Sequence, residues 1–430
     1  MNRKPSIGII LLTVFIDLVG FGIVVPLVPL YSKHLLASGL TIGIIVASFS
    51  AAQFIFAPIW GRLSDRIGRR PVLLVSTAGA SVAYAVFAYG SGIEDHGLAL
   101  WLLLGSRFFA GMAGANITVA QAYIADITPP ENRSRRMGLI GMAFGLGFIF
   151  GPIIGGLSLK HLGATGPGWI ACGLCAMNFI LAFAILPESR KPDSTPAAPR
   201  PHLDQFLHTL RQPKVGLLIV VFFLATFCFS CFESTLPLLV SGNFHLDIIS
   251  DERSASTVIY LFAYCGIIGA IVQGGAIGRL VKKHGEPKVI AMSLLLTGLS
   301  MAPLPFIVGK EPLSWGVLFQ SAGVPWLALL ATLGVLSIGT ALTRPPLFGM
   351  ISNLTPDTDQ GATLGVAQSA GSLARIIGPI YANVLFTAHP AWTYVTCAAV
   401  ALVAGGVAAK RLGGRSLSPL QAAVSAGKNN

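Results

Sequence analysis

The fold is decided by one stretch that occurs twice, as GRLSDRIGRRP at residues 61–71 and as GRLVKKHGEPK at residues 278–288. Each copy stands between two long apolar runs. Shorter echoes follow in both parts of the chain, where ADITP at 125–129 matches SNLTP at 352–356 and FGP at 150–152 matches IGP at 377–379. Such a duplication indicates two related halves, and it predicts a substrate site between them.

The apolar runs around these copies have the composition of a membrane protein. Hydrophobic residues make up 53% of the chain and charged residues 11%, with a mean hydropathy of +0.74, whereas soluble domains carry about 25% charged residues. At about 1.5 Å per residue, each run can cross a hydrocarbon core of about 30 Å as a helix, and a lone strand could not satisfy its backbone there. We predict twelve spans, at 6–31, 40–60, 71–91, 98–125, 137–159, 168–187, 215–241, 255–278, 288–309, 325–352, 362–386 and 391–410.

The longest polar connection, ESRKPDSTPAAPRPHLDQ at 188–205, is rich in Pro, charge and small polar residues, as linkers are. We therefore predict an all-α membrane protein of twelve transmembrane helices in two six-helix halves. The first half covers 1–187, a cytoplasmic linker 188–214, the second half 215–410 and a cytoplasmic tail 411–430.

The net charge of +12 follows this topology. Basic residues crowd the alternate loops, while the opposite loops hold only Lys33, Lys160, Arg253 and Lys310. The positive-inside rule then predicts a multi-pass protein of the cell membrane with both termini in the cytoplasm, the inner membrane if the source is a Gram-negative bacterium. We expect contact with membrane lipid and no nucleic-acid partner.

The six cysteines fall inside predicted spans, so a disulfide framework is not expected. Zinc or redox sites need further ligands, and the interiors of the spans contain no histidine. A P-loop sequence for ATP is also absent from the chain. We predict no metal, no cofactor and no enzymatic activity.

Ionisable residues inside the predicted spans are the best pointers to a functional site, because each costs about 2.5–3.5 kcal/mol on insertion and usually faces a cavity or a partner. There are five, namely Asp17, Arg107, Glu233, Arg344 and Arg375. Asp17 lies about 11 residues into the first span, roughly 16 Å deep. A carboxyl group there can take a proton from one side and release it to the other.

Asp17, Arg107 and Glu233 are therefore our candidates for proton coupling. Three alternatives stay open: Asp17 and Arg107 form a static ion pair, Glu233 reaches water, or Arg344 and Arg375 bind an anionic substrate. The candidates for substrate binding are Phe21, Phe229, Phe232, Glu233, Arg344 and Arg375. The alternative for the aromatic residues is packing or contact with lipid.

The stretch from Gly61 to Arg70 resembles the loop motif of the major facilitator superfamily. In that family this loop holds the two halves shut on the cytoplasmic side. The resemblance implies that Asp65 meets the start of the eleventh span and that Arg69 pairs with Asp126. The implied gating residues are Gly61, Asp65, Arg66, Gly68, Arg69, Arg70 and Asp126. In the second copy Lys282 replaces the acid, so that copy cannot hold the halves together in the same way.

The fifth span resembles the motif of antiporters in this superfamily, through Gly141, Gly145, Gly151, Pro152, Gly155 and Gly156. Glycines four residues apart let helices touch backbone to backbone, and a proline removes one helix hydrogen bond. This favours export over uptake, and ordinary packing of small residues is the alternative.

The first span, with Asp17, Gly20, Gly22, Pro26 and Pro29, and the fourth, from Arg107 to Thr128, resemble the tetracycline/proton antiporters of the twelve-span drug:proton group. The chain departs from them at Ala83, where they carry an acid. The resemblance implies proton-coupled efflux of a small apolar or cationic compound by a monomer. A facilitator or symporter for a sugar, organic anion or other metabolite is the alternative, and a non-transporting sensor on the same fold is a third interpretation.

Overall fold

The computed structural model describes residues 6–24, 39–190, 202–246, 252–309 and 323–412, and this part of the chain is helical without strands. The helices are α1 (Ile7–Val24), α2 (Gly39–Ile67), α3 (Arg69–Gly90), α4 (His96–Gly114), α5 (Ile117–Asp126), α6 (Arg133–Leu162), α7 (Gly166–Ile185), α8 (His202–Arg211), α9 (Pro213–Phe244), α10 (Glu252–Ile271), α11 (Ile277–His284), α12 (Glu286–Met301), α13 (Val324–Leu354), α14 (Gln360–Ala388) and α15 (Pro390–Leu412).

In the described part of the chain, eleven helical stretches are long and apolar enough to cross a membrane. The predicted eleventh span corresponds to α14, which falls short of that hydropathy because its first half is rich in Gly, Ala, Ser, Thr and Gln. Residues 360–372 of α14 are all buried, so they face protein rather than lipid. The fold is therefore the predicted twelve-span arrangement, and the residue bounds of its halves stay a prediction.

Several predicted boundaries were wrong. Most of the predicted loop at 61–70 is helix, since α2 continues to Ile67, α3 begins at Arg69 and only Gly68 separates them. Gly68 has a φ of 102°, which favours glycine and permits this one-residue turn. The fourth span is interrupted between α4 and α5, the eighth contains a π-helical turn at Val272–Ala276, and part of the predicted linker is the helix α8. Residues 25–31 of the predicted first span lie outside the described residues.

The two halves meet at one end of the molecule. We call this the motif end, because it holds the turns at Gly68 and Gly285. One hydrophobic core there joins buried residues of both halves, for example Val72 and Tyr123 with Leu347 and Val366. Two further cores belong to one half each, around Phe87 in the first and Trp326 in the second. Shared packing therefore closes the motif end.

Candidate functional site

Asp17 lies in the middle of α1 and is held by two amides. Its carboxylate accepts a hydrogen bond from Asn116 Nδ2 at 3.0 Å and another from Asn178 Nδ2 at 2.7 Å. Asn178 also donates to the carbonyl of Thr13 at 2.9 Å, which fixes the orientation of its amide. The site therefore joins α1, α7 and the break between α4 and α5 around one acid.

Arg107 does not pair with Asp17, so the static ion pair considered from the sequence is absent. The Arg107 guanidinium lies 4.6 Å from the ring centre of Phe49 and 5.9 Å from that of Phe21. It is 4% exposed, and its Nε and Nη1 atoms have no hydrogen-bond partner among the described residues. The aromatic rings, rather than an acid, stabilise this buried cation.

Arg344 and Arg375 lie in the second half, close enough for mutual Coulombic repulsion. Arg344 Nη2 donates to Gln368 Oε1 at 3.1 Å, and its guanidinium lies over the rings of Phe144, Phe222 and Phe348. Arg375 Nη2 donates to Gln53 Oε1 and to Ser372 Oγ, each at 3.0 Å. Both arginines therefore reach residues of the first half, Arg344 through Phe144 and Arg375 through Gln53.

Glu233 of α9 is exposed and attracts Arg375 without forming a direct ion pair. The neighbouring aromatic candidates separate into two environments. Phe229 is 40% exposed on the same face of α9 as Glu233, whereas Phe232 is 3% exposed and belongs to the core of the second half. The position of Phe232 indicates packing. Phe21 packs on Phe49 with ring centres 4.8 Å apart.

Both contacts that the loop motif implied are present at the motif end. Asp65 accepts hydrogen bonds from the backbone N–H of Gly361 at 3.0 Å and of Ala362 at 2.8 Å, at the start of α14. Arg69 pairs with Asp126 at 3.0 Å and also contacts Asp65. Gly61 lies so close to Gly361 that a side chain at either position would meet the other's backbone.

The other motif residues tie α3 to the segment after α7. Glu188 caps α3 by accepting from the backbone N–H of Arg69 at 2.9 Å and of Arg70 at 3.0 Å. The Arg70 guanidinium donates to the carbonyl of Phe183 at 2.8 Å, and the backbone carbonyl of Arg66 accepts from Arg190. Nothing in the sequence pattern pointed to Glu188, because its role depends on the chain returning to α3.

The second copy of the motif makes a different contact between the halves. Lys282 is exposed, as expected of a residue that cannot replace Asp65. Four residues later, at the start of α12, Glu286 accepts a hydrogen bond from the hydroxyl of Ser134 near the start of α6. Arg133 adds a hydrogen bond to the carbonyl of Ser352 at 2.9 Å. The second copy therefore does contain an acid, Glu286, but at the position that corresponds to Arg69 in the first copy.

The glycines of the fifth span divide between two neighbours of α6. A side chain at Gly151 or Gly155 would meet the α1 backbone at Gly22 or Ile23. Gly141 and Gly145 instead face Gln273 and the Gly266–Ala270 turn of the second half, whereas Gly156 faces open space. Pro152 lies inside α6 without ending it. Four of the six motif residues, all glycines, therefore pack closely on neighbouring helices, two on α1 and two on the second half.

The remaining sequence predictions have simple outcomes. All six cysteines are free. Ala83, at the position where the similar antiporters carry an acid, is 2% exposed and packs in the core of the first half. Sequence reasoning missed Gln53, Asn116, Asn178 and Gln368, because amides are unremarkable in such helices until a charged partner is found beside them.

The family follows from comparison with known proteins. The sequence model of the Major Facilitator Superfamily matches residues 10–324 and 275–423. The chain belongs to this superfamily. The helical topology and the contacts of the loop motif agree with that membership.

The chain is 32% identical over 398 residues to the class E tetracycline resistance protein of Escherichia coli, and the alignment covers 90% of this chain and 89% of the relative. It is 25% identical over 413 residues to multidrug resistance protein 2 of Bacillus subtilis, covering 95% of both chains. The solved structure of the human organic anion transporter MFSD10 matches with a TM-score of 0.76 at 23% identity, over 94% of this chain and 100% of that one. The likeness to MFSD10 establishes the fold alone.

Proposed function

We propose that this protein is a proton-coupled antiporter that exports small apolar or cationic organic compounds by alternating access. Its relatives named for tetracycline and multidrug resistance support this function. The chain would act as a monomer in the membrane, with protons and a small molecule as its partners, and would catalyse no chemical reaction. Neither a cofactor nor nucleic acid has a part in this cycle.

The observation that carries the proposal is the environment of Asp17. A carboxylate in the middle of a membrane helix is costly unless its charge is balanced. Its hydrogen-bond partners in the described part of the chain are the neutral amides of Asn116 and Asn178. A bound proton neutralises the carboxylate, so Asp17 is suited to bind a proton and release it during transport.

The closed motif end supports the direction of transport. With both termini in the cytoplasm, the motif end is the cytoplasmic end, and its contacts through Asp65 and Glu286 keep the interior from opening inward. In this state a proton would reach Asp17 from outside. Proton binding would then favour the inward-open state, which releases the proton and takes up the compound to be exported.

Asp17→Asn tests this function. An amide keeps the size of the side chain but cannot carry the proton, so export driven by an imposed pH gradient should be lost in reconstituted vesicles. Tetraphenylphosphonium and tetracycline are suitable probes, and exchange driven by a gradient of the probe itself should persist. If the variant still transports with unchanged dependence on the pH gradient, Asp17 is not the coupling residue.

A second substrate class is favoured by one observation. Arg344 and Arg375 lie close to each other, and Glu233 is the acid in electrostatic contact with Arg375. Arginine makes paired hydrogen bonds to carboxylate and phosphate groups. If a substrate displaces Gln368 or Gln53 from these arginines, an organic anion becomes the better ligand.

A further inference from the structure

The break in the fourth span lies between Asp17 and the interface of the two halves. The backbone N–H of Thr118 donates to the carbonyl of Ala115 at 3.3 Å, one residue short of the regular α-helical acceptor. Carbonyls at the end of α4 accept side-chain hydrogen bonds, Met112 from Trp60, Ala113 from Ser76 and Gly114 from Gln53, and the Ala113 carbonyl also accepts from the backbone N–H of Asn116 at 3.1 Å. Side chains of α2 and α3 therefore hold this discontinuity in place.

The two sides of the break contact different functional groups. On one side, Asn116 donates to Asp17. On the other, Gln53 Nε2 donates to the carbonyl of Gly114 at 3.3 Å, while Gln53 Oε1 accepts from Arg375 Nη2 of the second half at 3.0 Å. Gln53 is buried, and it uses both ends of its amide. A continuous set of contacts thus joins Asp17 to Arg375.

We propose that Gln53 is a positioning residue that couples the proton state of Asp17 to the position of Arg375, through the break in the fourth span. This inference rests on the proposed function, in which Asp17 carries the proton. Arg375 in turn attracts the exposed Glu233, so the contacts end at the interior surface between the halves. We expect this segment to shift because its backbone hydrogen bonds are irregular, from Asn116 to Ala113 and from Thr118 to Ala115, and separable side-chain bonds hold its remaining carbonyls.

The chemistry of a carboxyl group gives the reason for movement. An ionised carboxylate only accepts hydrogen bonds, whereas a protonated one carries an O–H donor and has less capacity to accept from two amides. Proton binding at Asp17 therefore loosens the hydrogen bond from Asn116. Because Asn116 and Gly114 are two residues apart, a shift of one changes the carbonyl that Gln53 holds.

Among the described residues, the other titratable groups around Asp17 are few. Tyr84 of α3 and Cys175 of α7 are in electrostatic contact with it, and Arg107 of α4 faces Tyr84. Residues 137–159 of α6, which packs along α1, contain no titratable side chain. In α5, Tyr123 and Asp126 are engaged at the motif end with Pro187 and Arg69.

The test needs no substrate, because protons are the only ligand. Purified protein in nanodiscs carries spin labels at Ile67→Cys and Lys283→Cys, exposed sites on opposite halves at the motif end. Infrared difference spectra follow the protonated carboxyl band that disappears in Asp17→Asn. In the parent protein we expect the label distance to change with the same pH midpoint as this band.

Gln53→Met keeps the length of the side chain and removes both hydrogen bonds. We expect the Asp17 band to titrate as before and the distance change to be lost. Asn116→Leu, which removes the link at the other end, should give the same loss and serves if Gln53→Met does not fold. Gln368→Met is the matched control, since it removes one hydrogen bond to the other interior arginine, Arg344, and should retain the distance change.

The outcomes separate the inference from the proposed function. A label distance that still follows the Asp17 band in Gln53→Met would overturn the role of Gln53 alone. Equal loss in Gln368→Met would also overturn it, because the effect would not be specific to the contacts with the break. Absence of any Asp17 band would overturn the proton assignment and the coupling role together, whereas a parent distance that ignores pH while the band titrates would overturn the coupling role alone.

Discussion

Three aspartates of this transporter have the same carboxyl group but different hydrogen-bond partners and exposure. Asp17 accepts hydrogen bonds from two neutral amides inside the membrane. Asp65 accepts from two backbone N–H groups of the other half and contacts Arg69. Asp357 is 76% exposed, with its carboxylate 3.9 Å from Arg133. Asp17 is therefore suited to exchange a proton and Asp65 to hold the halves together, whereas Asp357 contributes little to stability.

Asp65→Asn should open the motif end. A neutral amide keeps an accepting oxygen but loses the charge that strengthens its hydrogen bonds to α14. Because bonds to charged groups are worth about 1.5–3 kcal/mol and neutral ones about 0.5–1.5 kcal/mol, the ratio of closed to open protein should fall about tenfold or more. The measurement is the alkylation rate of Ile140→Cys, a buried site at the motif end, by a water-soluble maleimide. We expect this rate to rise about tenfold, with a smaller change in substrate affinity.

Asp357→Asn is the matched control on the same face. Exposed ion pairs are worth about 0–1 kcal/mol, so alkylation of Ile140→Cys should stay close to the parent rate. Equal rates in the Asp65 and Asp357 variants would show that Asp65 does not hold this end closed.

Acids can be found from this sequence more readily than their partners. Asp17 is conspicuous because it interrupts an apolar run, and Asp65 because it lies in a repeated motif. Asn116 and Asn178 carry no such signal, since they come from helices far along the chain and reach Asp17 only through packing. The ion pair with Arg107, which the sequence left open as an alternative, does not form, and the sequence could not show that Phe49 and Phe21 cover that cation.

At the scale of elements, α6 is a packing surface between two neighbours. Its Gly147, Gly151 and Gly155 lie against α1 of the same half, while Gly141 and Gly145 lie against the eighth span of the other half. The π-helical turn at Val272–Ala276 supplies Gln273, which packs on Gly141. A helix in this position joins the two halves, and alternating access would require it to slide on one of them.

Gly151→Ala should destabilise the protein, because the added methyl group would meet backbone atoms of Gly22 and Ile23 that cannot move aside. Overpacking of this kind costs about 1–3 kcal/mol. Gly156→Ala is the matched control five residues further along the same helix, where no atom lies within 4 Å of the added group. Thermal unfolding in detergent should show a lower midpoint for the first variant and an unchanged or higher one for the second. The reverse order would contradict this packing.

The lengths of the helices could be predicted from the sequence, whereas their interruptions could not. Apolar runs set the spans because the bilayer thickness sets the length a helix needs. Donors from α2, Gln53 and Trp60, bond the carbonyls at the break after Gly114, and the π-helical turn lies where Gln273 packs on Gly141 of the other half. The extension of α2 through Gly61 to Ile67 was missed because polar residues there suggested a loop, although they contact the second half.

At the scale of the whole molecule, the cores and the interior charges describe one arrangement. A shared core closes the motif end, and separate cores toward the other end leave each half packed on itself. Between them lie three arginines and Glu233. Arg107 is covered by rings, Arg344 is bonded to Gln368 and stacked on aromatics, and Arg375 is bonded to Gln53. The charge most available to a ligand is therefore the exposed Glu233.

This arrangement predicts which interior residue selects the substrate. Glu233→Gln should weaken the binding of a lipophilic cation such as tetraphenylphosphonium about tenfold or more, because a charged hydrogen bond or ion contact is worth about 1.5–3 kcal/mol. Arg344→Ala should leave cation binding in place, since its guanidinium is engaged by Gln368 and three aromatic rings. Binding to each purified variant in nanodiscs, measured for a cation and for an aromatic carboxylate in parallel, separates the two substrate classes. If the carboxylate binds the parent protein and only Arg344→Ala loses it, while Glu233→Gln binds the cation as the parent does, the interior is built for organic anions and the cationic assignment is wrong.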